Sequence, residues 1–133
     1  MANTKVAILD SLVTTLETLS AVNRCTRILL PPDEARTQEP YIGMISGTEI
    51  ELAQDSTHIL WGLSVDLILI KQGQEIEEMI DSVKTAIYVP PSIDNMKLVK
   101  FEGQEPVTLV DADQYSSARI VLYIIYVALK TGF

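Results

Sequence analysis

The stretch ARIVLYIIYVALK, residues 118–130, decides the fold. Successive side chains of a strand point to opposite faces, so a half-buried strand alternates apolar with polar residues. Here both registers are apolar: Val121, Tyr123, Ile125 and Val127 in one, Ile120, Leu122, Ile124 and Tyr126 in the other. A membrane span needs about 20 apolar residues, and this run is bracketed by Arg119 and Lys130. Ile, Val and Tyr dominate it, and these fit a pleated surface better than a helical turn. The stretch reads as a strand that needs cover on both faces. Arg119 shares the register of Val121, Tyr123 and Ile125, which marks that side as the outer face and Ile120, Leu122 and Ile124 as the core side.

The preceding segments show what cover the chain itself provides. HILWGLSVDLILI, residues 58–70, alternates Ile59, Trp61, Leu63, Val65, Leu67 and Leu69 with His58, Gly62, Ser64 and Asp66, a strand with a definite core side. Its far end, Ile68 and Ile70, is apolar on the second face too. YIGMISGTEIEL, residues 41–52, reads as a strand whose two glycines mark a bulge or a close backbone approach. AVNRCTRILL, residues 21–30, reads as a further short strand, and PPDEARTQEP, residues 31–40, as a loop without periodicity. Residues 96–114 read as a hairpin around Glu102-Gly103-Gln104-Glu105, with Pro106 marking an edge.

Two segments carry helical spacing. Leu9, Leu12, Val13, Leu16 and Leu19 make one stripe over residues 4–19, and Ile76, Met79, Ile80, Val83 and Ile87 another over 75–88. Glu75, Glu77 and Glu78 crowd the start of the second, where the helix dipole favours negative charge, and Pro90 and Pro91 end it. The expected fold is a single α+β domain over residues 1–133, a mainly antiparallel sheet with two helices packed on one face. Such a fold leaves the outer face of the last strand bare. Large exposed apolar patches mark interfaces, so Val121, Tyr123, Ile125, Ile68 and Ile70 form the candidate subunit interface. The loop residues Asp33, Glu34, Arg36 and Glu39 form a second candidate contact, because loops on a rigid scaffold commonly carry recognition surfaces.

Composition narrows the function. The 133 residues are 47% hydrophobic and 21% charged, with a formal net charge of −8, which argues against a protein that grips nucleic acid by its phosphates. Cys25 is the single cysteine, so no internal disulfide forms; with no apolar leader at the amino terminus, a reducing cytoplasm is the expected setting. His58 is the only histidine, which excludes histidine metal clusters. Asp111 and Asp113 start like a calcium loop, but Ser116 stands where its glycine belongs and Leu122 where its acid belongs. The glutamates at 75, 77 and 78 read as a solvated helical turn rather than a paired-carboxylate site. No glycine-rich loop precedes a helix. No catalytic, cofactor or metal site is expected, and no membrane segment.

In size, element order and several local strings the chain resembles the tail terminator proteins of long-tailed bacteriophages, the family of the lambda minor tail protein U. The strings are the acidic segment from Asp33-Glu34 to Pro40, the acidic turn region Glu49, Glu51 and Asp55, the strand containing Trp61, the acidic helix start, and the final strand opening at Ser116-Ser117-Ala118 and running through Tyr123 and Tyr126. The resemblance implies a non-enzymatic virion protein, made in the host cytoplasm, that forms a homo-hexameric ring on the head-proximal end of the tail. Its implied partners are the major tail tube protein, whose polymerisation the ring ends, and the head-completion or connector protein that attaches to it. DNA would pass through the lumen without specific binding, and a carboxylate-rich lumen would repel its phosphates. The alternatives are a head-completion or neck connector protein, and a small cytoplasmic dimeric ligand-binding or enzyme domain.

Overall fold

The computed structural model describes residues 4–73, 76–88, 96–106 and 115–130. The described elements run α1 (Thr4–Glu17), β1 (Arg24–Thr26), α2 (Pro32–Thr37), β2 (Tyr41–Gln54), β3 (His58–Gln72), α3 (Glu77–Tyr88), β4 (Met96–Pro106) and β5 (Tyr115–Leu129). The strands form one sheet in the order β1-β2-β3-β5-β4. Every neighbouring pair is antiparallel except β1 and β2, which run parallel and therefore need the crossover that α2 supplies. The α+β class with a mainly antiparallel sheet is the one the sequence indicates.

The core lies on one face of this sheet. Leu63, Val65, Leu67 and Leu69 of β3 stand beside Ile124, Leu122, Ile120 and Ala118 of β5, matched one to one by the pairing register. Against them pack Ile8, Leu9, Leu12 and Leu16 of α1 and Met79, Ile80, Val83 and Ile87 of α3, the two stripes that helical spacing marks out. Each such side chain removed from water stabilises the fold by about 1.5–3 kcal/mol. The two long helices therefore do cover one face, as expected.

Three details depart from the sequence reading. Residues 32–37 fold into the short helix α2, which lies on the opposite face of the sheet. Residues 96–106 are not a hairpin but one edge strand paired along β5, and the Gly103 position is a bulge rather than a turn. Glu-Gly-Gln-Glu has turn-like composition, yet pairing to a long apolar neighbour decides the conformation. The strand expected over 21–30 shortens to Arg24–Thr26, because the chain then leaves the sheet to cross over it. The remainder of the expected hairpin, 107–114, lies outside the described residues.

In β2 both glycine readings hold. Leu29 lies over Gly43 so closely that a Cβ there would stand 2.5 Å from its Cδ1, and the register slips between Ser46 and Glu49 around Gly47. The β2–β3 turn is closed by Asp55, whose carboxylate accepts backbone N–H groups of Thr57 at 2.8 Å and His58 at 2.7 Å.

Candidate assembly surface

Strand β5 alternates strictly. Ile120, Leu122 and Ile124 are fully buried on the core side, while Val121, Tyr123, Ile125 and Val127 are half-buried on the other. Across the sheet the outer residues of β3 are small or polar where β5 is bulky: Gly62 pairs with Ile125, Ser64 with Tyr123 and Asp66 with Val121. That difference lets the Tyr123 ring lie down over Gly62, where any Cβ would collide with its hydroxyl. The result is a low apolar strip rather than a ridge. At one end it is closed by the Arg119–Asp66 ion pair at 2.6 Å, partly exposed through Arg119 and so worth on the order of 1 kcal/mol.

The chain itself covers one end of this face. Ile68 and Ile70, expected in the open interface, are buried beneath their own α2 in a small cluster with Ala35, Tyr41, Leu30 and Tyr115. Tyr41 anchors the crossover: its hydroxyl accepts the Leu30 N–H at 3.0 Å and donates to the Ile28 carbonyl at 3.2 Å. The open strip is therefore Val121, Tyr123, Ile125 and Val127, with Leu60 beside it. A helix of six residues is too short to show a 3.6-residue pattern, which is why the sequence shows the need for cover at Ile68 and Ile70 but not its source.

The charged segment 31–40 likewise folds against its own domain, contrary to the expectation of a free contact loop. Arg36 pairs with Asp33 at 3.1 Å and sits over the Tyr115 ring at 5.6 Å. Glu39 accepts the Gln72 N–H at 2.9 Å. Only Asp33 and Glu34 of the four expected contact residues keep exposed side chains without a role in holding β3 or β5.

Catalytic geometry is sparse among the described residues. His58 is exposed beside the turn, 2.7 Å from the Thr57 hydroxyl and 3.8 Å from Asp55. The backbone N–H groups of Thr57 and His58 hold the Asp55 carboxyl below its ordinary range. Cys25 is buried, and burial, with a smaller contribution from Glu17, pushes its thiol up to about 12, so it is no nucleophile. Tyr126 hydrogen-bonds Glu49, and burial followed by that carboxylate raises its pKa. A cleft of about 560 Å³ between the end of α1 and the start of α3 is lined by Lys71, Glu78 and Asp81 among others. Among the described residues no group of three or more His, Cys, Asp or Glu side chains could hold a metal ion. Nor is any helix there long and apolar enough to cross a membrane. Glu77 and Glu78 lie exposed in the first turn of α3, whereas Glu75, Asp111 and Asp113 lie outside the described residues.

One surface escaped the sequence reading. Strand β1 pairs with β2 only from Tyr41 to Gly43, so the rest of β2 is a free edge among the described residues. Along and beside it lie Ile28, Leu29, Ile45, Ile50 and Leu52, all exposed; Ile28 reaches 70%. The alternation Glu49-Ile50-Glu51-Leu52 was the available signal, since it gives β2 an apolar set that no other predicted element is placed to cover. Compared with protein-family models and with curated proteins, the chain matches none.

Proposed function

We propose that this protein is a structural assembly subunit that works as a homo-oligomeric ring, in the manner of the tail terminator proteins it resembles, ending a tail tube and presenting a face for head attachment. The observation that carries the reading is the strip Val121, Tyr123, Ile125 and Val127, an apolar stretch of sheet on a face where, among the described residues, α2 covers one end. A stable monomer would gain by placing polar residues there. An assembly subunit gains by leaving it for a neighbour.

The electrostatics fit the same role. Six copies of a chain with net charge −8 carry a formal net charge of about −48, so a channel through them repels phosphate rather than binding it. The site chemistry agrees, because His58 serves a turn and Cys25 is buried. Light scattering of the purified protein, with electron microscopy of the same sample, tests the reading. Six copies of 14.7 kDa give about 88 kDa and a ring with a central hole. A particle of two copies, about 29 kDa, would instead favour the dimeric-domain alternative. Added to tail tubes, the protein should appear at one end only and stop their growth.

A further inference from the structure

The open strip alone does not explain a ring. One self-complementary patch meets its own copy about a two-fold axis and stops at a dimer, whereas a closed ring needs two different patches on opposite sides of the subunit. The two edges of the sheet supply such a pair. We infer that the free edge of β2 in one subunit docks against the α3–β4 edge of the next, acidic and aliphatic on one side, basic and aromatic on the other. This rests on the ring reading above and names the surfaces that close it.

On the β2 side, Ile45, Ile50 and Leu52 are exposed, Ile50 by 46%, on a strand whose only charged residues are Glu49 and Glu51. On the opposite side Tyr88, at the end of α3, is 51% exposed and packs at 4.7 Å from the Phe101 ring of β4. Lys84 reaches over that same ring at 6.0 Å, and Lys100 is exposed beside it on β4. The Tyr88 hydroxyl accepts the outward Phe101 N–H at 3.1 Å, so this edge is already blocked to strand addition at that point. A neighbour would meet it mainly through side chains, with Tyr88 as an aromatic anchor of the kind that dominates interface energetics. The bulges of β2 at Ser46–Glu49 and Glu51–Ala53 likewise break a continuous ladder and favour side-chain docking.

The heights of the two patches match. Following the pairing register across the sheet, Ile50 lies in one row with Gly62, Ile125 and Leu98, and Glu51 in one row with Trp61, Tyr126 and Met96. The acidic part of β2 is therefore level with the first residues of β4, Met96 to Val99, and Lys100 and Phe101 follow next along that strand. The glutamates of β4, Glu102 and Glu105, fall in its second half. Rotation about an axis along the strands, without translation, brings Glu49 of one copy level with Val99 of the next, on the same face as Phe101 and the Lys84 ammonium over its ring. The strand directions agree as well, since β2 and β4 run opposite ways. Pairing β2 with another β2 instead would set Glu49 against Glu51, like charge against like. Ile50 also borders Gly62, over which Tyr123 lies, so a neighbour on this edge overhangs the open strip.

The experiment is a charge exchange, using light scattering and electron microscopy on the full chain. Glu49 and Lys84 are both partly exposed, so E49K and K84E should keep the far-ultraviolet circular dichroism of the wild type. Under conditions in which the wild type is a ring, each variant alone should be monomeric, because like charges then face each other at every joint. A one-to-one mixture should recover rings of alternating variants. Rings formed as readily by each variant alone would overturn the edge assignment and leave the ring reading standing. Two monomeric variants that fail to rescue each other would overturn the facing of these edges. A wild type no larger than a dimer would overturn the ring reading, and this inference with it.

Discussion

Leu122 and Tyr123 are adjacent in sequence and lie on opposite faces of β5, so truncating each in turn measures which face is the core. Leu122 is fully buried, set beside Val65 on β3 and Phe101 on β4. Leu122→Ala removes its transfer free energy and leaves a cavity, together about 3 kcal/mol. Unfolding entropy of about 2.1 cal/mol/K per residue gives roughly 0.28 kcal/mol/K for the chain, so Tm should fall by about 11 °C. Tyr123 is half-buried and rests on Gly62, with no described element packed above its ring. Tyr123→Ala should therefore cost the isolated subunit about 1 kcal/mol, or roughly 4 °C. The assay is thermal unfolding by circular dichroism at low protein concentration, where association adds nothing to stability. Equal losses from the two variants would refute the assignment, because they would place both faces of β5 inside one chain.

Three further outcomes follow from particular contacts. Gly62→Val places a side chain where the Tyr123 hydroxyl lies, so the ring must lift; assembly should weaken while core packing, read by near-ultraviolet circular dichroism, persists. Cys25, with its thiol pushed up to about 12, should carry on the order of a thousandfold less thiolate at pH 8 than an ordinary cysteine. Iodoacetamide should then label it only once urea unfolds the chain, and rapid labelling of the native protein would refute its burial. The Asp55 carboxyl is held below its ordinary range by two backbone N–H groups, so its contribution to the β2–β3 turn is complete above the unfolded value, about 3.9. It should be lost as pH falls through the lower folded value, seen as amide chemical-shift changes at Thr57 and His58 that Asp55→Asn abolishes.

What the sequence made legible was set by periodicity over long elements. The double apolar register of β5, the one-sided register of β3 and the stripes of α1 and α3 each repeat several times, and each appears where expected. What failed was short or set by tertiary pairing. Among its described side chains helix α2 buries Ala35 alone, too little for a pattern, so the cover over Ile68 and Ile70 came from a segment that read as loop. The Gly103 bulge read as a turn because local composition cannot report that β5 holds the strand straight through it. The candidate surface was legible in part for the same reason: alternation in β5 identified Tyr123 and Ile125, but the free edge at Ile45–Leu52 depends on β1 ending at Thr26, which no local pattern in β2 encodes.

The central claim is that the outer face of β5 is a surface for assembly, and the mass of one variant beside the wild type tests it most directly. Tyr123→Arg puts a charge in the middle of the strip without touching Ile120, Leu122 or Ile124. Light scattering at tens of micromolar protein should give about 88 kDa for the wild type and a single 14.7 kDa subunit for the variant, with matching far-ultraviolet circular dichroism. A wild type that stays at 14.7 kDa, or a Tyr123→Arg ring indistinguishable from the wild type, would contradict it.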